Sequence, residues 1–146
     1  KTLGRWHKST AATLGGLCSA YRGAGRLVEA MDHAERGHAI EERIFPAGSS
    51  TLGINHYNMG RIRLDMGMSD EAVLQFEKAG DIFENQLGPK HRNTLRNRTF
   101  IGMAITACGS KYEARIHLEE TLQWQREGQV RPADLKATEE ALAAIG

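Results

Sequence analysis

Arginine dominates the candidate chemistry in this chain. Arg22, Arg61, Arg63, Arg92, Arg96 and Arg98 fall in three short stretches whose only acidic residue is Asp65. A planar guanidinium presents a fork of donors that fits a carboxylate with two parallel bonds, so the chemistry implied is the holding of an anion. The other constellations carry less. Gly23, Gly25 and Val28 make only GxGxxV with no strand before it, which fits a helix-to-helix turn better than a dinucleotide loop. His33 and His38 are five residues apart, which sets them about 140° apart around a helix and rules out a metal pair. His33 with Glu29 and His38 with Glu42 are instead spaced as ordinary surface pairs. Ser, His and Asp all occur, but nothing brings them together. No catalytic residue, cofactor or metal is expected.

The elements that must carry these arginines show themselves by repetition. The stretch GMSDEAVLQFEKA places Gly67, Ala72, Phe76 and Ala79 in a pattern that recurs as Gly25, Ala30, Ala34 and Gly37 and as Gly109, Ala114, Leu118 and Thr121. Both intervals are 42 residues, without slippage, as a repeated structural unit requires when each copy packs on the next in the same way. Leu3, Gly4, His7 and Thr10 precede Leu87, Gly88, His91 and Thr94 by two periods, so LGRWHKST reads as the tail of a linker. With a first residue that is not methionine, this predicts an array continuing upstream in a longer parent.

Within the units, Leu14, Leu17, Cys18 and Tyr21 form one apolar stripe of a helix over about Lys8 to Gly23. Leu27, Ala30, Met31, Ala34 and Ile40 form another over about Arg26 to Arg43, ended by FPAGSS. The second hairpin is expected at about Ser50 to Met66 and Asp70 to Gln86, with Met59, Gly60, Leu64, Ala72, Phe76 and Ala79 inward. Ser69 is its expected N-cap, and Gly88 with Pro89 ends it. The third runs from about Thr94 to Cys108 and Lys111 to Arg126, where Ser110 and Glu113 fit a capping box. After Pro132, Leu135, Leu142 and Ile145 share one side of a segment suited to cover the open end of a stack. The reading is a single repeat domain: repeats at about 8–49, 50–91 and 92–131, and a capping helix at about 132–145.

Composition agrees with an ordinary folded protein. The 146 residues are 40% hydrophobic and 25% charged with a formal net charge of +1, too balanced for a disordered tail or a general polyanion binder. No apolar run approaches a membrane span. Cys18 and Cys108 lie in different repeats, and the expectation is reduced, buried thiols in a reducing, cytoplasmic compartment.

These positions resemble those of tetratricopeptide repeats: Leu14, Leu17, Cys18, Tyr21, Gly25, Ala30 and Gly37 in the first unit, and Met59, Gly60, Gly67, Ala72, Phe76 and Ala79 in the second. The 42-residue period and the LGPKHRNTL linker are similar to the long repeats of kinesin light chains and of the arrays in signalling NTPases. The chain departs from the pattern at Ala34, His56, Arg63 and Thr121. The resemblance implies an all-α, right-handed superhelix of three antiparallel hairpins plus a C-terminal capping helix. In it the first helix of each hairpin lines a concave groove that binds peptides or partner proteins. The implied peptide-binding positions are Ser19 and Arg22, then Tyr57, Asn58, Arg61 and Leu64, then Arg96, Thr99 and Met103. The two-carboxylate clamp of chaperone-binding members is not matched, because Gly15 and Ser19 stand where Lys and Asn would.

Charge bears on this independently. The first helices carry Lys8 and the six arginines against Asp65, while the second helices carry seven cations against fourteen carboxylates. A near-neutral chain thus divides into a basic groove wall and an acidic back. The expectation is a module that binds an acidic or C-terminal-carboxylate segment, with Arg forks holding carboxylates, Asn58 pairing with ligand backbone, and Tyr57, Leu64 and Met103 offering apolar contact. The alternative is a sensor or self-association segment of a larger signalling NTPase, and a homo-oligomer is compatible with the exposed edge of three repeats. Nucleic acid is disfavoured, since Tyr57 is the one aromatic placed in the groove and stacking platforms need more. No membrane association is expected.

Overall fold

The computed structural model describes residues 8–146. They form seven α-helices in order: α1 Lys8–Gly23, α2 Leu27–Ile44, α3 Ser50–Asp65, α4 Ser69–Leu87, α5 Arg92–Ala107, α6 Lys111–Glu127 and α7 Pro132–Ile145. No bound lies more than two residues from the position that periodicity and punctuation predict. The linker reading at Leu3, Gly4 and His7, and the side chains of Lys8, Thr10 and Leu14, lie outside the described residues.

The three hairpin corners are copies of one another. Gly25, Gly67 and Gly109 all sit at positive φ, 77°, 79° and 96°, where a side chain is disfavoured. Each glycine N–H donates three residues back, to Arg22, Leu64 and Thr106 at 3.0, 3.0 and 2.9 Å. The next residue donates five back, to Tyr21, Arg63 and Ile105 at 2.8, 2.9 and 3.2 Å. This Schellman arrangement satisfies the last carbonyls of the first helix and turns the chain at once into the second.

That geometry overrides two expected caps. The residue that closes each corner is also the N-cap of the following helix, with ψ of 76° at Arg26, 67° at Met68 and 65° at Ser110. An extended N-cap aims its side chain at the second and third helical N–H groups, and a residue folded into the corner does not. Ser69 is therefore the first residue of α4 rather than its cap, and Ser110, though at the cap position, makes no side-chain cap bond, so no capping box forms. The linkers leave room for real caps. Ser49 Oγ accepts from Thr51 N–H at 3.3 Å, and His91 Nδ1, one period on, accepts from Asn93 N–H at 3.1 Å.

Inside the hairpins, bulk is traded between facing helices. A Cβ on Gly60 would fall 2.7 Å from the Phe76 ring, and one on Gly102 would run into Leu118. In the first hairpin the exchange is reversed, with Cys18 buried against Ala34. The other departures from the repeat pattern also find partners. His56 Nδ1 donates to Gln75 at 2.8 Å and its ring meets that of His38 edge-on at 4.7 Å. Thr121 is buried and takes a 3.1 Å bond from Arg98. Two expectations fail at the edges of the stack. Leu17 is 39% exposed, because its counterparts Met59 and Ile101 pack on a preceding repeat. Cys108 is exposed rather than buried, its thiol donating to Asp70 at the 3.1 Å distance of a weak bond.

The stack curves. First helices touch, α3 on α5 and α5 on α7, whereas α2, α4 and α6 make no comparable contact with one another among the described residues. Elements on the inside of a bend are closer than those outside, so α3, α5 and α7 line the concave side. α7 packs on α6 and α5 as α5 packs on α4 and α3. It takes the place of a fourth first helix, sealing Ala114 and Leu118 with Ile145 and the partly buried Leu142.

Candidate functional site

On the concave side, α3 contributes Tyr57 and Arg61, α5 contributes Arg96, Thr99 and Phe100, and the start of α7 contributes Asp134 and Ala137, with Arg131 just before it. They line a pocket of about 300 Å³. Its floor is aromatic. Phe100 meets Tyr57 edge-on at 5.4 Å and Phe76 at 5.8 Å. The Arg61 guanidinium lies 5.0 Å from the centroid of Phe100 and 5.5 Å from that of Tyr57. Cation–π contact of this kind holds the guanidinium over the rings.

Arg61 differs from its neighbours in having no carboxylate partner among the described residues, and its buried Nε makes no hydrogen bond. Arg96 is held by Asp134 in a two-pronged pair, Nε to Oδ1 and Nη2 to Oδ2, both 3.0 Å. Arg131 Nε adds a 3.3 Å bond to Oδ2. Burial alone would raise the Asp134 carboxyl, but Arg96 and then Arg131 outweigh it and hold it below the usual carboxylate range. The same bond to Asp134 raises Arg96. Burial pushes the Tyr57 phenol up, against the pull of Arg61 and Arg96. Three guanidinium groups thus face one carboxylate, and the surplus is positive.

Two further hollows adjoin this pocket. Tyr57 and Arg96 also line one of about 160 Å³ with Ile54, Asn58, Phe83 and Asn93. Phe100 and Ala137 also line one of about 380 Å³ with Met103, Thr106, Glu140, Ala141 and Ala144. The joint between the first and second hairpins carries smaller side chains at the matching positions. Tyr57, Phe76 and Phe100 have Gly15, Ala34 and Asn58 one period earlier, and these line a cavity of about 30 Å³ with His33, His38, Glu41 and Asn55.

Of the predicted groove residues, Tyr57, Arg61, Arg96 and Thr99 come together at the central pocket, Asn58 and Met103 sit in its two neighbours, and Leu64 packs partly buried against the Ala72, Phe76 and Ala104 cluster. Thr99 lines the pocket but is turned largely into the packing against α7. It is 2% exposed and its hydroxyl is spent on Thr138, 2.7 Å away, under α7. Ser19 is exposed on α1, and Arg22 is drawn to Asp65 by a 2.9 Å ion pair. The basic wall is also thinner than charge counting suggests. Arg98 turns to the second helix of its own hairpin, pairing with Glu120 at 2.6 Å and lying 4.8 Å over Trp124. Arg63 does likewise, reaching Glu71 at 3.4 Å and Glu35 at 3.9 Å. Long side chains at a hairpin seam find the acidic helix behind them, so a first-helix arginine need not face the groove. Sequence reasoning missed Phe100, Arg131, Asp134 and Ala137. α7 begins 40 residues after Arg92, not 42, so stepping by the period does not find its groove residues.

Comparison with known proteins rests on structure. No family model matches the chain, and no curated protein matches it by sequence. A crystal structure of a kinesin light chain protein of Podosopora anserina with nearly identical TPR-like repeats superposes with a TM-score of 0.79 at 25% identity, covering 99% of this chain and 69% of that one. A point variant of that protein gives 0.81, again at 25% identity, with 99% and 68% covered. The chain folds as a tetratricopeptide-like repeat array. BtubC (BKLC) of P. vanneervenii has the same fold, with a TM-score of 0.83 at 20% identity over 93% of this chain and 55% of that one, so this array spans about half of BtubC. Among the described residues, no helix is long and apolar enough to cross a membrane.

Proposed function

We propose that this array is a protein-interaction module whose concave side binds an acidic peptide or partner segment. Curved repeat stacks present an extended inner surface suited to partners, and the neighbouring TPR-like structures support a scaffold role in general. The observation that carries the acidic preference is Arg61, an anchored guanidinium without a carboxylate, in a pocket with a positive surplus. A carboxylate there accepts from the fork while the flanking hollows take apolar neighbours and Asn58 offers an amide to ligand backbone. Titration with acidic and basic peptide mixtures tests the reading. Acidic mixtures should bind, basic ones should not, and Arg61→Glu should abolish binding while leaving the helical circular dichroism unchanged. Equal binding of both mixtures, or no loss in Arg61→Glu, rejects it.

A second reading, self-association within a larger signalling NTPase, draws on the outer helices, where Leu74 and its counterpart Ile116 are 58% and 53% exposed. Sedimentation equilibrium decides it: a monomer at all concentrations, unchanged by Leu74→Lys with Ile116→Lys, removes this reading.

A further inference from the structure

We infer that the Arg61 pocket is built for a phosphoryl group carried on the bound peptide, a phosphorylated serine, threonine or tyrosine, rather than for a single carboxylate. The inference rests on the groove-binding reading and sharpens it.

The balance of charge at the pocket points there. Its ionised lining is Arg61, Arg96, Arg131 and Asp134, a formal surplus of two positive charges. Asp134 is fully engaged by Arg96 and Arg131, so it gives nothing to Arg61. A ligand carboxylate would neutralise half of the surplus, leaving one positive charge uncompensated between the walls formed by Tyr57, Phe100 and Ala137. A phosphoryl group carries about −1.5 to −2 at pH 7 with three acceptor oxygens, and it closes the balance.

Donor geometry agrees. A buried Nε without an acceptor is costly unless a ligand supplies one, and Arg61 Nε is in that state. The guanidinium is already held over two rings, so little freedom is lost when it engages a tetrahedral anion. Arg131, with its side chain 61% exposed at the rim, can reach a second oxygen without leaving Asp134 unpaired, because Arg96 remains. A space of about 300 Å³ admits a phosphoryl group with the side chain that bears it.

The pocket also offers a clean readout. No histidine lines it; the charged and titratable groups that face it from α3, α5 and the start of α7 are Arg61, Arg96, Arg131, Tyr57, raised by burial, and Asp134, held below the usual carboxylate range by Arg96 and Arg131. A change in affinity near pH 6 therefore belongs to the second ionisation of the phosphate.

Three degenerate nonapeptide mixtures that differ only at the central residue, phosphoserine, glutamate or serine, would be titrated against the whole 146-residue chain by fluorescence polarisation. The expected result is binding of the phosphoserine mixture about tenfold or more tighter than the glutamate mixture. That advantage should shrink at pH 5.5, be competed by inorganic phosphate, and be lost in Arg61→Gln. Arg131→Gln, at an exposed position where folding is not at risk, should reduce it as well. Equal affinity for the phosphoserine and glutamate mixtures overturns the phosphoryl assignment and leaves the acidic-groove reading standing. If neither binds better than the serine mixture, both fall. A phosphoserine preference indifferent to both substitutions lies elsewhere on the chain, and that too overturns the assignment.

Discussion

Arg96 of α5 and Asp134 of α7 grip one another through two 3.0 Å bonds, and this pair ties the last helix to the groove wall. Asp134 is only 9% exposed, so a change that removes its main partner leaves a mostly buried carboxylate with Arg131 alone. Arg96→Ala should cost about 2 kcal/mol by urea denaturation, and the added loss from Asp134→Ala in that background should be much smaller than in the parent. Additive losses would show that the pair does not couple the helices.

The same carboxyl sets an acid limit. Its folded-state pKa is depressed, so its contribution is present above the unfolded value of about 3.9 and disappears as pH falls through the lower folded value. Thermal melts from pH 5 to 2 should show a steeper loss of stability for the parent than for Asp134→Asn.

Histidine acts in the same sense, at higher pH. His117 donates from Nε2 to the Arg98 carbonyl at 2.9 Å, and burial first, then the Arg98 charge, lowers its pKa. The unfolded chain therefore binds a proton that the folded one resists, and stability should fall as pH drops through about 6.5 toward the depressed folded value. His117→Gln should flatten the melting temperature between pH 7 and 5.5 relative to the parent. His38, lowered by burial and by His56, supplies a remaining slope.

Equivalent corners should break equally. Nothing lies within 4 Å of a Cβ placed on Gly25, Gly67 or Gly109, so alanine there costs only the positive φ. Each substitution should lower stability by about 1 kcal/mol, with the three values agreeing in chemical denaturation. A markedly larger loss at one corner would mean that its role exceeds the turn.

Gly60→Ala is a different case, because the new methyl meets the Phe76 ring at 2.7 Å. Overpacking of this kind costs about 1–3 kcal/mol. In a Phe76→Ala background the same substitution should be nearly free or stabilising. A double-mutant cycle without coupling would refute the exchange of bulk between facing helices.

Much of this architecture is legible in the residues themselves. The spacing of Gly25, Gly67 and Gly109 locates the corners, and Gly88 with Pro89 marks a real helix end, Gly88 being the C-cap of α4. What escapes depends on direction rather than position. A sequence reveals that Arg63 and Arg98 are charged, but not that each turns back to a glutamate on a neighbouring helix. Ser110 has the right residue type for a cap, yet the corner it closes holds its backbone at the wrong angle. Asp134 escapes because α6, at 17 residues, is two shorter than α4, at 19, so α7 starts early and the groove's last wall is out of step with the other two.

The Tyr57, Phe76 and Phe100 rings bind the second hairpin to the third, while the same joint one period earlier is made by Gly15, Ala34 and Asn58 around a small polar hollow. A chain of segments hinged this unevenly does not loosen everywhere at once. Amide exchange should reach the α2 and α3 junction first, with α4 and α5 persisting as the most durable part of the molecule. The array would then flex at one end while the arginine pocket at the other keeps its shape.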